Sequence, residues 1–274
     1  LSSNLLTDGP NLREFEKKFQ NYTKSNFSTG VSNATAGLML SLKALGISKN
    51  DEVIIPDMTF VATANAVLSC NATPVLVDVT YEDLNISIDS IEENITNRTG
   101  AIIPVHFAGK SCNMKQIMKI AKKYDLKIVE DCAHALGTFY DKKHVGTFGD
   151  TGCFSFYPTK NLTTFEGGMI ISKAKKITEI LRKSRNHGIN KSLKDRFTRG
   201  KPWEFDIEEL GFNFRLDEIR SALGNNQLKR LGNMNNQRRS AAKYYHSKLK
   251  DVKGISLPSQ KLSANNSWHL YVIK

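Results

Sequence analysis

Short apolar runs that alternate with helical stretches constrain this chain more than any other feature of its sequence. Val53-Ile54-Ile55 precedes a predicted helix over 61–69. The run 74–79 precedes a helix near 88–95, and 101–105 precedes one over 114–123; the run 127–130 then follows at once. A strand with one wet face alternates polar and apolar residues. Strands covered on both faces read as near-continuous apolar runs, as these do. Repeated strand–helix units of this kind predict an α/β fold of three layers, α/β/α, around a mostly parallel central sheet.

The flanking segments complete the reading. Leu12, Phe15, Phe19 and Tyr22 recur at helical spacing after Gly9-Pro10. A second helix is predicted over 35–45, with Leu38, Leu42 and Leu45 on one face and Gly46 as its stop. Beyond Asp131, residues 153–156 and 169–171 read as strands, with Gly167-Gly168 as a tight connection, and 174–185 as a helix. Residues 187–208 are charged and weakly periodic, which predicts a loop. A long helix over 216–249 carries Ile219, Leu223, Leu228 and Leu231; 258–266 reads as a loop and 268–273 as a strand. Two domains are expected: a large one over 1–235, and over 236–274 the start of a smaller C-terminal α+β domain. The chain opens on Leu1 rather than Met and stops inside the second unit, so a trimmed or partial sequence is expected.

Composition narrows the function classes. Of 274 residues 40% are hydrophobic and 24% charged, which places the chain among soluble globular proteins. No apolar run is long enough to span a bilayer, and residues 1–9 lack the basic start and apolar stretch of a secretory signal. The net charge of +12 suits either a nucleic-acid partner or a phosphorylated substrate. The lysines are scattered, without a basic stripe or an aromatic–basic motif, so no nucleic-acid partner is expected and most of the charge reads as solvated faces. Cys70, Cys112, Cys132 and Cys153 form no C-x-x-C pair, so no metal is expected. Their low density suits a reducing compartment. The glycosylation sequons at Asn33 and Asn161 fall inside motifs argued below to line a site. A glycan there would block it, so a cytoplasmic protein is expected.

A few residues carry chemistry by position alone. Open α/β sheets bind ligands beyond the carboxyl ends of their parallel strands. Asp131 sits just after one such strand; it serves there either as an acid facing a ligand or as an ordinary turn carboxylate. Lys160 lies between two short strands in a stretch with few other charges, with Gly167-Gly168 on its far side. A lysine so placed is either a surface cation or an amine that loses its proton easily and attacks a carbonyl carbon. Thr35 and Ala36 open a helix, whose free N–H groups and dipole favour an anion; Thr35 equally suits a plain first-turn position. Phe60, between a strand and a helix, either stacks on a ring or packs in the core.

Seven stretches in order carry a closer likeness: Ser32-Asn-Ala-Thr-Ala-Gly-Leu, Pro56-Asp-Met-Thr-Phe-Val-Ala-Thr-Ala-Asn-Ala, Thr73-Pro-Val-Leu-Val-Asp-Val, Pro104-Val-His-Phe-Ala-Gly, Glu130-Asp-Cys-Ala-His-Ala-Leu-Gly, Phe154-Ser-Phe-Tyr-Pro-Thr-Lys-Asn-Leu-Thr-Thr and Gly211-Phe-Asn-Phe-Arg. In these the chain resembles the DegT/DnrJ/EryC1/StrS family of sugar aminotransferases, which have the aspartate-aminotransferase fold (fold type I of the pyridoxal 5'-phosphate, PLP, transferases). The resemblance implies PLP as cofactor. It implies that Lys160 is the Schiff-base lysine, that Asp131 pairs with the pyridine nitrogen, and that His134 lies beside the ring or its phenolic oxygen. By the same likeness Phe60 stacks on the ring, and Thr35, Ala36 and Ser155 hold the phosphate. Asn213 matches a phosphate contact that the family supplies from the neighbouring subunit, which implies a homodimer with shared sites. His187, Arg215 and His269 match positions near the substrate. Phe165 departs from the family, which has a small residue before the Glu-Gly-Gly turn; a narrowed site or a shifted loop is expected there. The family also continues well past Lys274.

The activity so implied is transfer of an amino group from an amino acid, usually L-glutamate, to a keto group of a nucleotide-linked deoxysugar, in amino-sugar biosynthesis for a surface polysaccharide or glycoconjugate. Sugar dehydratases of the same family replace the lysine by histidine, so Lys160 speaks for transamination. A non-catalytic regulatory protein of this fold would not need Lys160 and Asp131 together. Gly146, Gly149 and Gly152 lack the spacing of a dinucleotide-binding G-x-G-x-x-G turn.

Overall fold

The computed structural model describes residues 5–191, 203–259 and 265–274. The expected loops over 187–208 and 258–266 therefore lie partly outside the described residues. In chain order the elements are α1 (Pro10–Thr23), β1 (Phe27–Val31), α2 (Ala34–Ala44), β2 (Glu52–Pro56), α3 (Ala62–Leu68), β3 (Thr73–Val77), α4 (Ile88–Glu93), β4 (Thr99–Ile102), α5 (Met114–Tyr124), β5 (Lys127–Asp131), β6 (Phe139–Tyr140), β7 (Lys143–His144), β8 (Thr151–Ser155), β9 (Gly168–Ser172), α6 (Lys175–Ser184) and α7 (Glu218–Leu249). The apolar runs become one seven-stranded sheet in the order β1-β9-β8-β5-β4-β2-β3, and β6-β7 form a separate hairpin. β3, β2, β4, β5 and β8 pair parallel in succession. β9 runs antiparallel to both β8 and β1, so it alone is reversed in the sheet.

Successive strand residues point to opposite faces, and the core clusters follow that alternation. Val53 and Ile55 of β2, with Cys153 of β8 and Ile170 of β9, pack beneath α2 with Leu38, Leu40 and Leu42. Ile54, Ile102 and Ile128 turn the other way, onto Met114, Ile117 and Ile120 of α5. Phe154, Met169 and Ile171 also turn that way, and meet Leu12, Phe15 and Phe19 of α1 and Leu228 and Leu231 of α7. Helices thus cover both faces, in the three layers expected. Each of the fully buried large side chains among these contributes roughly 2 kcal/mol of apolar transfer free energy.

Several details differ from the sequence reading. β1 was not expected, because its buried Ser28, Thr29 and Gly30 lack the apolar signature. Ser28 Oγ donates to the Glu16 carbonyl, and Gly30 N–H to the Glu16 carboxylate, so hydrogen bonds cover what apolar residues would elsewhere. The β8–β9 connection is not a tight turn at Gly167-Gly168: Gly168 opens β9, and the whole of 156–167 lies between the two strands. On α7, Ile219 is exposed and Leu223 half-buried; the buried side carries Ser221, Gly224, Asn225, Leu228 and Leu231. Gly224 lets Phe15 of α1 pack directly on the helix backbone. Residues 268–273 form no strand: the Leu270 N–H bonds the Ala108 carbonyl, and just past the stretch Lys274 exchanges N–H and C=O groups with Ser256, but these isolated bonds build no ladder among the described residues.

Candidate active site

The topology gathers the ends of four strands. β1 leads into the N-terminus of α2, β2 into the Met58-Thr59-Phe60 turn before α3, β5 ends on Asp131, and β8 ends on Ser155 before the loop that carries Lys160. Because these strands run the same way, their carboxyl ends open on one side of the sheet, the side where α/β folds bind ligands. A cleft of about 990 Å³ lies there, lined by Thr35, Ala36, Phe60, Asp131, His134, Ser155, Lys160 and His269, together with Asn33, Met58, Thr59, Phe107, Tyr157 and Glu166.

Asp131 is buried, its backbone tied to Pro104 and His106 across the sheet. Its Oδ2 accepts from Thr63 Oγ1 at 3.0 Å and its Oδ1 from the Ala133 N–H at 3.0 Å. Burial raises its pKa, while the Ala133 N–H, the Thr63 hydroxyl and the Lys160 charge oppose the rise. Lys160 is shifted the other way. Burial lowers the pKa of its ammonium and Asp131 opposes the fall, so more neutral amine is present than in a solvated lysine. Thr63 was missed in the sequence. The signal was available in Thr59 and Thr63, one helical turn apart in a motif already singled out, with their hydroxyls 2.8 Å from each other.

The opposite wall is the start of α2. Asn33 caps the helix, its Oδ1 accepting from the Ala36 N–H at 2.8 Å. The Gly37 N–H bonds the Asn33 carbonyl, which leaves Ala34 and Thr35 with no upstream helical carbonyl to bond. A free helix N-terminus favours an anion. Thr35 therefore suits an anion contact, whereas the Ala36 N–H is already taken by the cap. A Cβ at Gly168 would stand 2.8–2.9 Å from the backbone of Asn33 and Ala34, so the glycine is what admits the helix start against the sheet end.

His134 and His269 stack with ring centroids 4.3 Å apart and an interplanar angle of 31°. Burial, the Lys160 charge and His269 push the His134 pKa down to about 3; burial, Lys160 and Arg238 push that of His269 down to about 4. Both rings are neutral at ordinary pH, and the Nδ1 atom of each is buried without a hydrogen-bond partner. Phe60 is 74% exposed, which sets aside the core reading of that residue. Phe165 is exposed too, in left-handed backbone (φ 66°), and does not line the cleft, whereas Glu166 does.

Three residues stand apart from this cleft. Asn213 is exposed, its backbone bridged to Asn186. His187 is exposed with φ 61°, its N–H bonded to the Phe212 carbonyl. Arg215 donates to Asn186 Oδ1 at 2.7 Å and lines a second cavity, of about 720 Å³, between α1 and α6. A buried trio of metal-ligand type, His106, Glu130 and Cys132, is engaged otherwise. Glu130 accepts from His106 and from the N–H groups of Gly146, Phe148 and Gly149, while His106 Nδ1 accepts from the Cys112 N–H. Burial holds the Cys132 thiol well above its usual pKa, which disfavours the thiolate a metal needs.

The residues fit PLP on observations of the cleft itself. A half-buried amine answers an aldehyde, and a buried carboxylate with two donors has a lone pair left for a ring N–H. The unpartnered Nδ1 of His134 awaits a polar group, and a helix start awaits a phosphate.

Comparison with known proteins agrees. The model of the DegT/DnrJ/EryC1/StrS aminotransferase family matches residues 1–274. The spore coat polysaccharide biosynthesis protein SpsC of Bacillus subtilis is 37% identical over 274 residues, 100% of this chain and 70% of that protein. The structure of Helicobacter pylori PseC, an aminotransferase of pseudoaminic acid biosynthesis, superposes with a TM-score of 0.90 at 34% identity, over 99% of this chain and 71% of that one. The PLP form of the putative sugar aminotransferase Spr1654 of Streptococcus pneumoniae does so with a TM-score of 0.88 at 30% identity, over 99% and 72%.

Proposed function

This chain belongs to the DegT/DnrJ/EryC1/StrS aminotransferase family, and from that premise we propose that it transfers an amino group from L-glutamate to a keto carbon of a nucleotide-linked deoxysugar. The chain is a PLP-dependent aminotransferase; the acceptor, the donor and the residue roles are our reading. One observation carries the roles: Lys160 and Asp131 line one cleft, with the N-terminus of α2 as a further wall. The names of SpsC and PseC support a sugar acceptor and a place in surface polysaccharide or glycoconjugate biosynthesis. A net charge of +12 suits a diphosphate-bearing acceptor.

When bound, PLP supplies an aldehyde that condenses with amines and a cationic ring that withdraws electrons from carbon. Lys160 would hold the aldehyde through Nζ. When the donor's amine takes that place, the same nitrogen would serve as the base that removes a proton from the donor carbon and, in the second half-reaction, as the acid that supplies one to the acceptor carbon. Asp131, fixed by Thr63 and Ala133, would keep the ring nitrogen protonated by its opposite charge. Phe60 would stack on the ring. Thr35, Ser155 and the start of α2 would hold the phosphate, with the Ala36 N–H joining them only if it left its bond to Asn33 Oδ1. His134, packed against His269, would bond the phenolic oxygen.

Asn213 reaches a second copy of the chain in this reading, which makes the enzyme a homodimer with shared sites. His187 and Arg215, joined to Asn213 through Phe212 and Asn186, follow it there. No helix among the described residues is long and apolar enough to cross a membrane, and we place the enzyme in the cytoplasm. We place the domain division at 235/236. α7 crosses that point unbroken, but up to Asn235 it buries side chain after side chain and beyond it only Ala242. The reading is tested by incubating the protein with PLP, glutamate and a panel of nucleotide keto-sugars. An amino-sugar product by mass, with 2-oxoglutarate released, is the expected result. Glutamate left intact with every acceptor would contradict it.

A further inference from the structure

We infer that Asn161 is a positioning residue for the Lys160 amine: it fastens the Lys160 loop to α7 and to the segment that carries His269, so that amine and imidazole enter the cleft as one unit. The inference rests on the assignment of Lys160 above, and goes beyond it to a residue outside the cleft. Asn161 is 4% exposed, and its Nδ2 spends both hydrogens on other elements. One goes to Asn235 Oδ1 on α7 at 2.8 Å and the other to the Ser267 carbonyl at 2.8 Å. Ser267 lies two residues before His269. Its own Oγ donates to the His134 carbonyl at 3.0 Å, and Thr138 Oγ1 donates onward to the Gly109 carbonyl at 2.7 Å. Asn235 Nδ2 closes the circuit on the Leu136 carbonyl at 3.1 Å.

Each member is buried: Asn235 is 1% exposed, and Thr138 and Ser267 are 0% exposed. A polar side chain at such depth is costly unless its bonds are made, and a network joining five separate segments fixes their relative placement. The approach is tight. Gly109 has φ +89°, and a Cβ there would stand 2.5 Å from Ser267 Oγ and 3.0 Å from the His269 backbone nitrogen. The residue after Asn161, Leu162, is buried against α1 and α7, and the loop's own backbone bonds run from Lys160 N–H to the Tyr157 carbonyl and from Thr164 N–H to the Phe156 carbonyl. The Asn161 amide adds the hydrogen-bonded tie from this loop to the segment that carries His269. Loosening it admits water to Lys160 and separates it from the His134–His269 stack.

The test follows capture of PLP by cofactor-free protein as a function of pH, with the attachment point mapped after borohydride reduction. Asn161→Ala removes both bonds and is expected to slow capture at least about tenfold, the scale of a single lost buried hydrogen bond, and to move its midpoint upward toward that of a solvated lysine. Asn235→Ala, which cuts the clamp from α7 and leaves the lysine loop untouched, is expected to act in the same direction. The double variant should add little to either. Should Asn161→Ala fail to fold, Asn235→Ala is read alone. Variants that unfold at lower denaturant yet capture PLP with the parent rate and midpoint would overturn the inference, since the cluster would then be structural only. Capture at another lysine in the unsubstituted protein would overturn the Lys160 assignment, and the inference with it.

Discussion

Thr63, on α3, donates its hydroxyl hydrogen to Oδ2 of Asp131, at the end of β5, over 3.0 Å, and both side chains are buried. The hydroxyl favours the charged carboxylate, against the burial that disfavours it. Thr63→Val keeps the shape and removes that donor. A hydrogen bond to a charged group contributes roughly 1.5–3 kcal/mol. kcat/KM should therefore fall roughly 10- to 100-fold, and the acid limb of its pH profile should move to higher pH. An unchanged limb would show that Asp131 does not depend on Thr63.

Asp131→Asn replaces the carboxylate by an amide of the same size, which cannot hold a ring nitrogen in its cationic form. Cofactor should remain bound, because the amine and the helix start are untouched. Turnover should fall on the order of 100-fold or more, the scale of losing one aimed electrostatic partner. Absorbance reports the first and product formation the second. Near-normal turnover would remove Asp131 from the chemistry.

Stability should fall with acid. His144 is 3% exposed, packed among Tyr22, Phe139 and Phe154, and burial pushes its pKa down to about 4 although the Val145 carbonyl and Glu130 oppose the fall. In the unfolded chain it returns to about 6.5. The unfolded state therefore binds more protons between those values, so stability is full above about pH 6.5 and is lost as pH falls toward 4. His134 and His269, with pKa values of about 3 and about 4, add in the same direction. Between about pH 7 and about pH 5 the His144 contribution drops by roughly 2 kcal/mol. Urea midpoints at the two pH values measure it, and His144→Gln should flatten the slope. Equal midpoints in the parent protein would contradict the burial argument.

The alternation of buried strands and helices was legible because β2, β4 and β5 are covered on both faces and need apolar side chains throughout. β1 was not, because Glu16 of α1 satisfies Ser28 and Gly30 by hydrogen bonds that no local pattern announces. Residues 268–273 are rich in strand-favouring types, yet a strand needs a continuous partner, and among the described residues only isolated bonds, Leu270 to Ala108 and Lys274 to Ser256, are made there. In the site, Asp131 drew notice by its place at a strand end and Lys160 by its place between two strands, although each also had a plainer reading. Asn33, Thr63 and Asn161 did not, since an asparagine or threonine reads alike on a surface and in a buried network. Asn213, His187 and Arg215 came from the family likeness alone, and this chain's own cleft does not include them.

The central claim is that Lys160 is the amine that holds the cofactor. Borohydride reduction of the PLP-loaded protein, followed by digestion and mass analysis, tests it directly. The account predicts a single pyridoxyl-phosphate addition on the peptide containing Lys160, absent from Lys160→Ala. Addition at a different lysine, or an unchanged visible cofactor band in Lys160→Ala, would contradict it.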